Sequence, residues 1–307
     1  MHVAASRANI LLGITFLVTA LWTLTLLDTA GKLLALGGYH VVFIAWARYT
    51  LNTVLMAVTI APLYRRRTGK SILQSAQPRL QIIRAIVLLA STLVFFSVLK
   101  IVPLAEGTAM NFCAPLIVLA ASPWLLGEKS HVSRWLAVAV GFAGMLIVVR
   151  PGGAIVPLGV ALGLVSATMF AALAIMNRKL NQRDDPLVAL FYGGLIGMLA
   201  SSALVPFFWS SHVPNLREGL ILASTGVTST LGHFLLNSAY KHAEASLLTP
   251  FVYLQVVSAT LMGWIVFGQF PDTLTVTGIA IICASGIGIA YVEHRRSHRR
   301  QADEVQG

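Results

Sequence analysis

Ten apolar stretches of membrane-spanning length, broken only by short polar joints, occupy nearly all of this 307-residue chain. They run near 9–31, 39–62, 80–100, 104–126, 132–150, 157–178, 187–209, 217–240, 245–267 and 273–292. A hydrocarbon core of about 30 Å is crossed by roughly 20 apolar residues in a helix. In that solvent every backbone N–H and C=O must be satisfied within the protein, so each stretch is predicted to be helical. The fold class expected is therefore all-α and integral to a membrane, with ten transmembrane helices and no soluble domain left over.

Charge supports the same reading. Only 11% of residues are charged, far below the quarter found in soluble domains. The net charge of +11 is explained by where the basic residues stand. With the N-terminus placed in the cytoplasm, the inner side collects Arg7, Arg65, Arg66, Arg67, Lys70, Arg79, Lys129, Arg134, Arg178, Lys179, Arg183, Lys241, Arg295, Arg296, Arg299 and Arg300. The outer side collects only Lys32, Lys100, Arg150 and Arg217, while Arg48 and Arg84 fall within spans. This is the positive-inside bias of a multi-pass protein of the cell inner membrane with both termini cytoplasmic. The basicity is thus a topology signal, and no nucleic-acid partner is expected. The first apolar run lacks a small-residue cleavage site, so it reads as a retained helix rather than a leader. Cys113 and Cys283 lie inside apolar runs and imply no disulfide framework.

Sliding the chain on itself by 141 residues gives an ordered match. The segment from Phe95 to Lys100 falls on Leu236 to Lys241, Leu126-Gly127-Glu128 falls on Phe267-Gly268-Gln269, and Ala139 and Ala143 fall on Ala280 and Ala284. Five spans is an odd number, so the second copy enters the membrane upside down. The expected architecture is two inverted five-helix repeats, 1–150 and 151–307, the second ending in a basic cytoplasmic tail. Inverted repeats with a site near the midplane are a secondary-transporter arrangement.

The segment Lys100-Ile101-Val102-Pro103-Leu104-Ala105-Glu106 through Pro115 to Trp124-Leu125-Leu126-Gly127-Glu128 resembles the third-to-fourth helix stretch of EamA-type carriers. These belong to the drug/metabolite transporter superfamily. A second match runs from Ala239 to Ser246 and on to Gly263-Trp264-Ile265-Val266-Phe267-Gly268-Gln269, with Gln255-Val256 and Gly268-Gln269 where the family usually has Glu-Pro and Gly-Glu. Asp28-Thr29-Ala30-Gly31-Lys32 is similar to the end of helix one in a subgroup that includes riboflavin importers and S-adenosylmethionine carriers. The resemblance implies alternating-access transport of a small metabolite, riboflavin uptake first, with S-adenosylmethionine or an amino-acid-like metabolite as the alternative.

Ionisable residues inside spans cost roughly 2.5–3.5 kcal/mol each on insertion scales, so each needs a reason. Asp28 and Lys32, four apart at the outer end of span one, form either an interfacial ion pair or an outer gate. Arg48 is too deep in span two to snorkel; a pathway-lining role and a buried structural pair both fit. Arg84, nearer the inner surface, is expected either to be structural or to snorkel. Glu106 opens span four as a proton carrier or a solvated helix start, with Asn111 five residues on. His233 and Asn237 share a helix face, and together with Tyr253 and Gln255 they complete the expected substrate pathway of Arg48, Asn111, His233, Asn237, Tyr253 and Gln255. Aromatic residues such as Trp46, Phe95 and Tyr192 suit either a flat ring or an interfacial belt. The spacings Gly159-x-x-x-Gly163 and Gly193-x-x-x-Gly197 predict close helix approach. Pro103, Pro115 and Pro250 suggest broken helices.

Enzyme chemistry is not expected. There is no His-Glu-x-x-His and no Gly-x-Ser-x-Gly, while His294 and His298 sit in a basic tail. No metal site and no cofactor are predicted. The partners expected are a small-molecule substrate and the lipid bilayer, with a homodimer possible.

Overall fold

The computed structural model describes residues 7–126, 132–149, 156–209, 213–243 and 245–306. Among them the regular structure is helical. Helix α1 is Arg7–Leu36; α2 (Val41–Leu55), a π-helical turn (Met56–Ile60) and α3 (Ala61–Thr68) make one continuous rod; α4 is Pro78–Ile101. Then come α5 (Leu104–Asn111), α6 (Ala114–Leu126) and α7 (Val132–Val149). The second half has α8 (Pro157–Leu180), α9 (Pro186–Leu204), α10 (Leu216–His242), α11 (Ala245–Val252), α12 (Leu254–Phe267) and α13 (Thr273–Gln306). Seven of these helical runs are long and apolar enough to cross a membrane, and three shorter apolar ones, Trp135–Val149, Leu254–Phe267 and Thr273–Gly288, complete the ten. The last helix runs straight on through the basic tail.

Local sequence explains the boundaries. Pro78, Pro157 and Pro186 open α4, α8 and α9, where a missing N–H costs nothing. Asn215 and Glu218 form a reciprocal capping box at the start of α10. Gly268, at φ +65°, closes α12 in the left-handed conformation that glycine adopts without strain.

The fourth and ninth spans are each broken in the middle. Helix α5 gives way to α6 at Phe112-Cys113, two residues before Pro115, and α11 gives way to α12 at Tyr253, three after Pro250. Pro115 has no N–H for the Asn111 carbonyl and its ring crowds that turn, which accounts for the first break. The breaks lie 141 residues apart, and so do the starts of α5 and α11 and of α7 and α13. Packing repeats in the same way: α1 lies on α10 and α12, as α8 lies on α4 and α6. The rings of Phe112 and Tyr253, the residues at the two breaks, meet at 5.1 Å in a shared core with Met110, Met145 and Ile282.

The glycines do what their spacing implies. A Cβ on Gly197 would come within 2.7 Å of the Tyr49 ring, one on Gly193 within 2.7 Å of Arg84, and one on Gly163 onto Met110 Sδ. Helix α9 is thereby seated against α2 and α4, and α8 against α5.

Candidate functional site

Four charged residues are buried among the described residues: Lys32, Arg48, Arg84 and Glu106. All belong to the first five spans. Their counterparts 141 residues on are Leu173, Ala189, Thr225 and Leu247, and that of half-buried Asp28 is Met169. Among the described residues the buried charge therefore lies in the first half.

Arg48 is held from three sides. Its Nε donates to Ser229 Oγ at 3.1 Å and one terminal nitrogen to Thr92 Oγ1 at 3.5 Å. Its guanidinium lies 5.2 Å from the Tyr49 ring centre and 6.0 Å from that of Phe96. Tyr49 in turn shares a 2.7 Å hydrogen bond with Thr92, and one turn further along α2 Asn52 donates to Thr230 at 3.0 Å. Helices α2, α4 and α10 thus meet on a hydroxyl network that fixes the direction of one guanidinium. Such preorganisation suits a planar fork that takes a carboxylate with two parallel hydrogen bonds.

Asp28 and Lys32, though four apart on α1, address different partners. Lys32 is 2% exposed; it donates to the Val102 carbonyl at 2.7 Å, lies over the Phe267 ring at 5.1 Å, and has Glu106 as its nearest opposing charge. The cation acting on Asp28 is Arg48. Asp28 sits deep among the helices yet keeps accessible surface, as does His233, which also lies in the field of Arg48. Both are half-buried and feel the charge of the Arg48 guanidinium. Asp28, Arg48 and His233 come together from α1, α2 and α10.

The remaining expected residues spread outward from this point. Asn237 stands one turn beyond His233, half-buried. Gln255 is the second residue of α12, and its carbonyl accepts from Ser258 at 2.9 Å. Asn111 accepts from Ser166 at 2.9 Å, at the end of α5. Tyr253 is 8% exposed in the apolar core, against Phe112 and so close to Gly286 that a Cβ there would clash with its hydroxyl. Arg84 donates to Asn177 Oδ1 and to the Ala189 carbonyl, each at 2.9 Å, and ties α4 to α8 and α9. The motif residues Gly127, Glu128 and Glu244 lie outside the described residues.

Sequence reasoning passed over Thr25 and Ser166. Thr25 on α1 shares a 2.6 Å hydrogen bond with Ser258 on α12, and Ser166 on α8 bonds Asn111 on α5. The two hydroxyls are 141 residues apart and tie corresponding pairs of spans. Only that offset marks them in the sequence, since membrane helices carry many Ser and Thr that merely bond their own backbone.

At the two ends of the bundle, joints hold the helices. One end carries Arg65, Arg66, Arg67, Arg178 and Lys179 and is called the basic end below. There the Asp184 carboxylate accepts from Ser75 Oγ, from the Ala76 N–H at 2.7 Å and from Gln81 Nε2 at 2.8 Å. Burial by itself raises a carboxyl pKa, but these hydrogen bonds and the Gln77 N–H outweigh it and hold Asp184 below the usual carboxylate value. At the opposite end Tyr39 donates to Glu218 at 3.1 Å, above a core of Leu34, Phe43, Phe96, Leu104 and Leu222.

Comparison with known proteins identifies the family. The S-adenosylmethionine uptake transporter of Rickettsia bellii is 27% identical over 76% of this chain and 79% of its own. The riboflavin transporter of Vibrio cholerae is 30% identical over 65% and 67%. A crystal structure with 20% identity superposes at a TM-score of 0.63 over 92% of this chain and 98% of that one, and so shares the fold. The profile of the EamA-like transporter family matches residues 8–150 and again 157–291, and the chain belongs to that family of membrane transporters.

Proposed function

We propose that this transporter is a secondary carrier of a small metabolite with an amino-acid head, S-adenosylmethionine being the first substrate to test. The halves 1–150 and 151–307 rock about the central site, in a cytoplasmic membrane with the basic end inside. The observation that carries this reading is opposite charge brought together between spans: Arg48, fixed by Ser229, Thr92 and two rings, and Asp28 within its field. An α-amino acid presents a carboxylate and an ammonium to match them. A ligand that replaces water around both charges offsets their desolvation, which an uncharged solute cannot do. The Rickettsia relative's name points to the same chemistry.

Riboflavin uptake is the second reading, supported by the name of the Vibrio relative. The isoalloxazine ring is uncharged at neutral pH and asks for aromatic stacking, whereas Phe112 and Tyr253 pack against each other at a tilt.

Counterflow into proteoliposomes tests both without presupposing direction. Vesicles preloaded with unlabelled S-adenosylmethionine are expected to accumulate the labelled compound saturably, and those loaded with riboflavin are not. Correctly inserted protein that exchanges riboflavin and ignores S-adenosylmethionine reverses the assignment. Exchange of neither removes both substrates.

A further inference from the structure

The two halves repeat in sequence and in helix breaks, yet they do not close in the same way at the two ends. At the end opposite the basic residues, α1 packs on α4 and on α5. Gly31 makes this possible, because any Cβ there would come within 2.6 Å of the Phe96 ring. Phe96 is 1% exposed as a result. Lys32 continues the seal to the Val102 carbonyl, and Leu34, Phe95, Leu99 and Leu104 fill it.

Shifting each residue by 141 gives the corresponding joint at the basic end: α8 against α10, with Ala172 in the place of Gly31 and Asn237 in the place of Phe96. That joint is not made. Among the described residues α8 packs on α4, α5, α6 and α9, while α10 packs on α1, α2 and α9, and the two share no extended contact. Ala172 and Asn237 are both half-buried. The basic end of α10 follows α1 instead, with Ala239 and Ala243 against Gly13. His233, one turn above Asn237 and likewise half-buried, lies in the field of Arg48.

We infer that this conformation is open at the basic end, through a passage between α8 and α10 that leads past Asn237 and His233 to Arg48. The passage closes when α8 docks on α10 with Ala172 against Asn237, as Gly31 now lies against Phe96. The two joints exclude one another, since both open onto the one site and alternating access needs one open at a time. Ala172 is small enough to permit the approach. Asn237, where the other joint has a phenyl ring, makes this seal polar and hence easily reopened. The inference rests on the carrier reading proposed above, but its first two tests need no substrate.

In a chain with Cys113 and Cys283 replaced by alanine, Ala172→Cys alone is expected to react with a membrane-impermeant maleimide in inside-out vesicles and not in intact cells. Labelling from the outside only overturns the inference. In the Ala172→Cys/Asn237→Cys double variant, copper phenanthroline is expected to form an intramolecular disulfide as the carrier samples its closed state. That cross-link should abolish maleimide access to residues on the passage, with access returning on dithiothreitol. A folded double variant, monodisperse in detergent, that never cross-links overturns the proposed docking pair. Sided labelling and cross-linking without exchange of the tested metabolites would leave the gate standing and fail the substrate assignment alone.

Discussion

At the scale of single residues, two positions carry the most weight. Arg48 is buried, triply anchored and aimed beside Asp28, so its loss should be felt in binding rather than folding. For Arg48→Gln, apparent affinity for the transported metabolite should fall at least ~30-fold, from about 2 kcal/mol or more for a lost buried charge contact. Arg48→Lys should recover little of it, since an ammonium cannot reproduce the fork. Asp28→Asn should lower transport at normal membrane abundance; unchanged transport would return Asp28 to a structural role. Gly197 makes a contrasting case. Gly197→Leu forces a side chain into the Tyr49 ring, and overpacking of this kind costs about 1–3 kcal/mol. Detergent-solubilised variant should melt at lower temperature, and because Tyr49 holds Thr92, which holds Arg48, transport should suffer with it.

At the scale of elements, the joint around Asp184 invites a pH experiment. Its carboxyl is held below the usual value in the folded protein, so its contribution is fully present above the unfolded pKa of about 3.9 and is lost as pH falls through the lower folded value. Asp184→Asn should therefore melt below the wild type at pH 7, with the gap narrowing on acidification below pH 4. A constant gap would place the effect elsewhere. The elements also show where sequence reading succeeds and where it stops. Ten helices were legible, because apolar length and missing charge are properties of the string itself. The breaks in spans four and nine were signalled by Pro115 and Pro250, although the turn falls at Phe112 and Tyr253 rather than on the prolines. The partners of Lys32 were not legible. Four residues of separation from Asp28 suggests a pair, but the Val102 carbonyl and the Phe267 ring come from spans distant in sequence, and only packing places them there. Arg48 could be flagged as costly without revealing that Ser229, 181 residues away, would hold it.

At the scale of the whole molecule, sidedness is the property that everything else leans on. Fusing green fluorescent protein to the C-terminus should give fluorescent cells, and fusing alkaline phosphatase there should give an inactive enzyme, if the basic end faces the cytoplasm. The opposite pair of results would reverse the direction of the passage between α8 and α10. The same global view explains why Tyr253 looked like a pathway residue in the sequence and lies in the core: a tyrosine at a helix break is conspicuous, but its counterpart Phe112 stands where the breaks meet, and the two rings fill each other's space.

The confinement of buried charge to the first half has a practical consequence. Asp28, Lys32, Arg48, Arg84 and Glu106 correspond, 141 residues on, to the uncharged Met169, Leu173, Ala189, Thr225 and Leu247. If the proposed site binds the cargo, the first half supplies its charges and the second supplies hydroxyl and imidazole groups around them. An engineer seeking to retarget this carrier would begin with the polar positions of α1 and α2 and with Ser229 and His233 on α10, where the charged half meets its neutral partner.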